Sequence, residues 1–261
     1  MTLFLIFGVF LLALVAYFKK KLTFSGSVAS IFVGSVIALG LDIFGLLLLA
    51  VFFFSSTALG SFYKKTGDDI VEKGQQRDAV QVLANGGVAA IFAFLYMFIP
   101  SPIIIYGFVG SLAAANSDTW ASELGSFSKQ RPFHILKRKR VEVGTSGAMS
   151  LLGTAAAFAG SFIIVVCAIF FWWGDYHNSH ILLLILTFTG FVGHFIDSLV
   201  GAMWQVLFRC QTCLKETERK FHCGKLTVKI KGKYWINNDI VNLFCTISGA
   251  LMAVVLGWLL L

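Results

Sequence analysis

Eight apolar stretches fill most of this 261-residue chain, at about 2–18, 25–40, 43–61, 82–99, 102–117, 148–173, 181–206 and 238–260. A helix crosses the hydrocarbon core of a bilayer in roughly 17–25 residues. A chain built from such segments must satisfy its backbone polar groups internally, which in lipid leaves helices as the spanning element. Hydrophobic residues make up 57% of the sequence and charged residues 13%, against about 25% charged in soluble domains. The expected fold class is all-α: a polytopic membrane helix bundle with six to eight transmembrane helices, eight favoured. One integral-membrane domain is expected over 1–261. The second and fifth stretches are short and rich in Gly, Ser or Ala, which allows a tilted, broken or re-entrant helix where the irregular backbone is buried. The first stretch lacks the positive n-region of a cleavable signal peptide and reads as an anchor.

The charges orient this bundle. Three basic residues lie at Lys19 to Lys21, four from Lys64 to Arg77, six from Lys129 to Arg140 and eight from Arg209 to Lys233, which accounts for all 21 Lys and Arg. With eight spans these four loops share one side, and basic loops remain in the cytoplasm. The opposite connections, around Asp42, Ile99 to Pro102 and Gly174 to His180, contain no Lys or Arg. The net charge of +8 thus describes one face, suited to topogenesis and to contact with anionic lipid. No nucleic-acid partner is expected, because the basic residues are divided among four loops and no aromatic-interleaved basic module is visible.

Four polar clusters sit at helix ends on that same side. Asn116 to Gly125 carries two carboxylates, an amide and three hydroxyls at the end of an apolar run, where a carboxylate costs up to about 2.5–3.5 kcal/mol and marks function by default. On a regular helix Asn116, Thr119 and Glu123 share one face, while Asp118 and Ser122 point elsewhere. Asp118 and Glu123 lie roughly 140° apart. One site can use both only if the helix breaks or the groups lie across a crevice. A second cluster puts Asp78, Gln81 and Asn85 on one helical face, with a solvated helix start as the simple reading for Asp78. A third aligns His194, Asp197, Ser198, Gly201 and Gln205; Asp197 is expected in the bundle interior, whereas His194 alone reads as a hydrogen-bonded core histidine. The fourth is Asn237, Asn238, Asp239 and Asn242, where one Asn serves as an N-cap. Gly144-Thr-Ser-Gly147 is expected to open the sixth span, either as an anion-binding helix start or as a turn before a Ser cap. Carboxylates and amides facing basic loops suit Mg²⁺ with phosphates. No Walker or kinase signature is present.

A separate constellation lies at 208–236, a cytoplasmic loop within the membrane domain. Cys210-Gln-Thr-Cys213 is followed, after eight residues, by His222-Cys223. In a reducing compartment this reads as a structural Cys₃His zinc knuckle in preference to disulfides. Adjacent His222 and Cys223 can bind one ion only across a turn.

Lys73-Gly-Gln-Gln-Arg-Asp, Gln81-Val-Leu-Ala-Asn85-Gly, Asn116-Ser-Asp-Thr-Trp-Ala-Ser-Glu, Val143-Gly-Thr-Ser-Gly147, Asp197-Ser-Leu-Val-Gly-Ala202 with Gln205, and Asn237-Asn-Asp-Ile-Val-Asn242 occur in this order. Together they resemble the integral-membrane family that contains plant phytyl-phosphate kinase and transmembrane protein 19. The resemblance runs from Leu22 to Asn242, and the cysteine loop is similar to that of prokaryotic members. This chain has Gly-Gln-Gln-Arg and Ser-Asp-Thr-Trp where the family pattern has Gly-Gly-Gln-Arg and Ala-Asp-Thr-Trp; no charged group is lost.

The resemblance implies a prokaryotic cell-membrane enzyme that faces the cytoplasm and transfers a γ-phosphoryl group from CTP or another nucleoside triphosphate to an isoprenyl monophosphate lipid. In that reading Asp118, Glu123 and Asp197 are catalytic and hold Mg²⁺. Lys73, Arg77, Gly144, Thr145 and Gly147 hold phosphates. Asn85, Asn116 and Asn242 position the acceptor, and Ser122, Asn238 and Asp239 complete the binding set. Alternatives are a CTP-dependent cytidylyltransferase, a lipid-phosphate or ion-coupled transporter, and a scaffold anchored by the zinc loop.

Overall fold

The computed structural model describes residues 2–62 and 76–260; Lys73 lies outside them. The described residues form seven helices: α1 (Thr2–Phe18), α2 (Phe24–Phe62), α3 (Ala79–Tyr96), α4 (Pro102–Gly125), α5 (Leu151–Trp172), α6 (Ser179–Trp204) and α7 (Asn238–Leu260).

The second and third apolar stretches are two limbs of α2. Asp42 between them has φ 50° and ψ −143°, which no helix tolerates. In a straight rod the roughly 29 residues from Thr23 to Phe52 would span about 44 Å. Yet Thr23 N donates to Arg77 O at 3.0 Å, and the Arg77 guanidinium lies 5.8 Å from the Phe52 ring centroid. The chain therefore doubles back at Asp42.

Five helices (α2, α3, α5, α6 and α7) are long and apolar enough to cross a membrane. α1 has 17 residues. Of the tilted, broken or re-entrant forms that the sequence allowed for the fifth stretch, a break is absent: α4 runs unbroken from Pro102 through the polar cluster to Gly125. Every residue from Ile105 to Ser117 is buried. A helix buried on all sides forms the axis of its bundle. Small side chains allow this, since α3, α5, α6 and α7 all pack against α4 and close backbone approach is how membrane helices gain contact. At the α4–α7 crossing, a Cβ on Gly249 would sit 2.5 Å from the Ala114 side chain, and one on Gly110 would sit 2.5 Å from Gly249 O.

Asn116 locks this axis in place. Its Oδ1 accepts from Ser55 Oγ at 3.2 Å and Ser56 Oγ at 3.3 Å, and its Nδ2 donates to Gly160 O at 2.7 Å. One amide thus ties α4 to α2 and α5.

The bundle is helical as expected, and the loops add short strands that the sequence did not show. Between α4 and α5, β1 (Phe133–His134), β2 (Lys139–Arg140) and β3 (Ala148–Met149) form a sheet in the order β2-β1-β3. Between α6 and α7, β4 (Leu207–Arg209), β5 (Glu216–Thr217) and β8 (Val228–Lys231) pair in the order β5-β4-β8, and β6 (Phe221–His222) pairs with β7 (Lys225–Leu226). Strands of two to four residues carry too few alternations to show a period-two pattern.

Replacing Gly249 by Leu is expected to destabilise the bundle by about 1–3 kcal/mol through overpacking. Gly8→Leu serves as the control, because a Cβ there meets nothing within 4 Å. Thermal unfolding in detergent, followed by tryptophan fluorescence, should show a lower Tm for the first variant alone.

Candidate active site

All four polar clusters meet in one cavity of about 340 Å³ at the end of the bundle that carries the basic loops. Its walls come from α2, α3, α4, α6 and α7 and from Gly153 of α5, together with Lys21, Arg77, Pro132, the turn at 143–150 and Glu218.

Asp118 on α4 and Asp197 on α6 stand side by side, close enough to share a hydrogen bond. His194, one turn before Asp197, places Nδ1 3.1 Å from Asp118 Oδ1. The imidazole therefore orients Asp118, a more specific role than the core histidine expected from sequence. Asn242 on α7 completes the group: with its amide turned so that nitrogen faces the acceptors, it donates to Asp197 Oδ1 at 3.3 Å and Asn238 O at 3.2 Å. Three helices thus position two carboxylates, which offer oxygen atoms to the cavity.

Asp118 and Glu123 need no break in α4. The cavity wraps the end of the helix, so residues roughly 140° apart both line it. Asp118 faces α6, whereas Glu123 lies against Gly60 of α2, where a Cβ would meet its Oε1 at 3.3 Å. The charge of Glu123 acts on Arg77. The three expected metal carboxylates therefore divide into an Asp118–Asp197 pair and a Glu123 associated with Arg77.

Arg77 is held by its own backbone. Its N–H donates to Lys21 O at 3.0 Å and its carbonyl accepts from Thr23 N at 3.0 Å. The guanidinium lies over Phe52 and Phe53, 5.8 and 5.4 Å from the ring centroids. Burial pushes it below its ordinary pKa, and Glu123 opposes that shift. Asp78 and Gln81 form a capping box, with Gln81 N donating to Asp78 Oδ1 at 2.9 Å and Asp78 N donating to Gln81 Oε1 at 3.2 Å. The helix-start reading of Asp78 therefore holds. Asn85, one turn further in, reaches the cavity.

The Gly144 to Gly147 segment is a turn and not a helix start. Gly144 and Gly147 have φ of 88° and 81°, β3 follows, and α5 begins only at Leu151. Ser150 caps it by accepting from Gly153 N at 3.0 Å. The turn is fastened to the opposite wall. Ser146 Oγ donates to Gln205 Oε1 at 2.5 Å, and Gln205 Nε2 donates to Glu218 Oε1 at 2.7 Å. At the last wall, Asn237 is the N-cap of α7, accepting from Ile240 N at 3.2 Å, which leaves Asn238, Asp239 and Asn242 on the cavity surface. Ser122, Gly144, Thr145 and Gly147 line the cavity. Asn116 does not: it is fully buried within its hydrogen bonds to α2 and α5. Glu218 and Lys21 line the cavity without having been expected there. Both sit among basic residues in loops, where no helical phase aligns them with the other clusters.

The family profile described as "Integral membrane protein DUF92" matches residues 7–250. The chain belongs to this family. The DUF92 chain is 30% identical to "Protein PGR" of Arabidopsis thaliana over 91% of each sequence. It is 34% identical to "Uncharacterized membrane protein MJ0933" of Methanocaldococcus jannaschii over 69% of this chain and 62% of that protein. It is also 25% identical to "Protein VTE6, chloroplastic" of Arabidopsis thaliana over 90% of this chain and 65% of that protein. The resemblance seen in the six motifs is thereby shown at the level of the family. No solved structure matches the chain.

The DUF92 chain also gathers Cys210, Cys213, His222 and Cys223, whose ligand atoms all lie within 4.8 Å of one another. His222 Nδ1 lies 3.5 Å from Cys213 Sγ and 3.2 Å from Cys223 Sγ. A tetrahedron with arms of about 2.3 Å to sulfur and 2.0 Å to nitrogen has an S–N edge of about 3.5 Å, so the donor set fits zinc. The turn that adjacent ligands require is present: Cys223 and Gly224 have φ of 51° and 72° and form the β6–β7 hairpin turn. Backbone N–H groups of Cys213 and Thr212 aimed at its sulfur bring the Cys210 thiol down to about 6, toward the thiolate a metal needs. In the DUF92 chain this loop carries Glu218, and so reaches the cavity through Gln205 and Ser146.

Glu218→Ala is expected to release Gln205 and loosen the turn it holds. Hydrogen–deuterium exchange should rise across residues 143–149 while the cores of α4 and α7 keep their protection.

Proposed function

We propose that the chain is a Mg²⁺-dependent phosphotransferase that converts an isoprenyl monophosphate, phytyl or polyprenyl, to its diphosphate with CTP or another nucleoside triphosphate at the cytoplasmic membrane face. The observation that carries this reading is the convergence of an adjacent carboxylate pair, Asp118 and Asp197, with Lys21 and Arg77 in one cavity at the basic end of a membrane bundle. Membership of the same family as the plant relatives supports it.

In this mechanism a phosphate oxygen of the acceptor attacks the γ-phosphorus of the donor. The bond from that phosphorus to the β–γ bridging oxygen breaks, and the nucleoside diphosphate leaves with the electron pair. The acceptor is already ionised, so no strong general base is needed, and catalysis rests on positioning and charge. Two carboxylates with amide neighbours suit Mg²⁺, which takes one or two protein carboxylates and fills its remaining positions with water and phosphate oxygens. Asp118 and Asp197 would hold it, and bound there it would neutralise the transferring group. His194 keeps Asp118 pointed inward. Arg77, set rigidly by Lys21 and Thr23 and steadied by Glu123, neutralises a phosphate, while the Ser146 turn and Asn238 close the site.

A transporter would need polar groups continuing across the bundle. Among the described residues lining the cavity, none is Asp42, Asp175, His177 or His180 at the far end. The loop zinc is structural in this proposal, since four protein ligands leave no open position.

Purified protein incubated with phytyl or geranylgeranyl monophosphate, CTP and Mg²⁺ should yield the lipid diphosphate and CDP by mass spectrometry. Pyrophosphate with a nucleotidyl lipid would instead identify a cytidylyltransferase, and absence of either product across the lipid and nucleotide panel would refute the phosphotransferase. Asp118→Asn and Asp197→Asn should each cost at least about 10²-fold in kcat, while His194→Ala should weaken Mg²⁺ affinity by about 10–100-fold. Metal analysis should find one zinc per chain, lost in Cys213→Ser, with the variant's Tm reduced.

A further inference from the structure

The polar cavity has an apolar neighbour. A second cavity of about 300 Å³ lies between α1, both limbs of α2 and the start of α3. The two share Arg77, Gln81 and Asn85. Apart from Ser30, those three are the only polar side chains lining the second cavity among the described residues. It is therefore a groove with one polar end, and that end is the wall of the phosphate site.

Three features make it more than a seam between helices. Gly8 lines it on α1, and a Cβ there would meet nothing within 4 Å, so the groove is open at its middle. Its rim residues Phe4 and Leu12 are 82% and 53% exposed, so it opens sideways toward lipid. At its closed end the Arg77 guanidinium lies over Phe52 and Phe53, both groove residues. One side chain thus presents charge to the polar cavity and rests on the aromatic floor of the apolar one.

From this continuity we infer that the α1–α2–α3 groove is the seat of the isoprenyl tail, and that its length sets how many isoprene units the protein holds. The inference rests on the phosphotransferase reading for the headgroup. Phe4 and Ala16 bound the groove on α1, and the helix rises about 18 Å between them. An extended isoprene unit covers roughly 5 Å, being four carbon–carbon bonds of about 1.5 Å foreshortened by their zigzag. The groove thus holds about three to four units with the phosphate at Arg77, as in a farnesyl or geranylgeranyl chain or the largely saturated phytyl chain. A longer polyprenyl tail would leave past Phe4 into the bilayer.

The test uses the full chain in nanodiscs and geranylgeranyl monophosphate carrying a diazirine on its terminal isoprene unit. Photolysis without nucleotide should label peptides around Phe4 to Gly8 and Ile43 to Leu47, and unlabelled geranylgeranyl monophosphate should compete. Labelling of the outer faces of α5 and α6 instead, or equal groove labelling by the corresponding hydrocarbon without phosphate, would overturn the assignment. In turnover, Gly8→Phe should lower the ratio of kcat/KM for geranylgeranyl over geranyl monophosphate at least tenfold, and an unchanged ratio would count against the groove. The two arms separate the claims: competed groove labelling without diphosphate formation leaves the lipid seat standing and removes the phosphotransferase, whereas turnover with label elsewhere does the reverse.

Discussion

Close packing around α4 is the constraint on which the rest of the structure depends. A helix buried along its whole middle needs small side chains wherever a neighbouring backbone comes close, and between its buried Phe108 and Leu112 the stretch Ile105 to Ser117 accordingly places Gly107, Gly110, Ser111 and the alanines at 113 to 115. That choice draws α3, α5, α6 and α7 onto one axis, and Asn116 fixes its register against α2 and α5 through three hydrogen bonds. The polar residues that follow on α4 then emerge where the neighbouring helices end. Asp118 meets Asp197 because α6 packs directly on α4. The cost of placing carboxylates at this depth is offset by their hydrogen bonds to His194 and Asn242 and by a polar cavity beside them.

The sequence made the bundle, the sidedness of its charge and most of the site legible, for a physical reason: polar residues in apolar runs stand out, and helical phase says which of them share a face. Asp118, Asp197, Asn85 and Asn242 were all visible in this way, whereas Arg77, in a basic loop, entered only with the family resemblance. Phase does not say what a face meets. Asn116 and Asp118 look alike in sequence, yet Asn116 points into the packed axis and Asp118 into the cavity. The reversal of α2 was marked only by a lone Asp42 between two apolar runs. Glu218 had no periodic context, lying in a loop whose short strands leave no pattern, and it enters the site only because the β4–β5 pairing sets it beside Gln205.

This last connection gives the cysteine loop a mechanical role. A segment of about thirty residues outside the bilayer has little apolar core of its own, and a metal clip is a common way to rigidify such a piece. Cys210 directly follows β4, while His222 and Cys223 close the β6 hairpin, so one ion would fix both ends of the stretch that carries Glu218. From there the Gln205 and Ser146 hydrogen bonds reach the glycine turn on the far wall. The turn lies this close to α6 because Gly147 and Gly201 lack side chains: a Cβ on Gly201 would meet Ser146 Oγ at 2.6 Å.

Arg77 is where the proposed phosphate site and the proposed lipid seat adjoin. A guanidinium in an apolar setting is costly unless its charge is answered, and here the aromatic faces of Phe52 and Phe53 and the charge of Glu123 provide the answer from opposite directions. Its backbone is stitched to the α1–α2 connection in the parallel bridge with Leu22, so the position does not drift with the bilayer. An amphiphile anchored at this point must place its charged end on the α4–α6–α7 side and its hydrocarbon on the α1–α2 side. In the proposed reading the same partition would bring the phosphate next to Asp118 and Asp197 while the tail stays in the apolar groove.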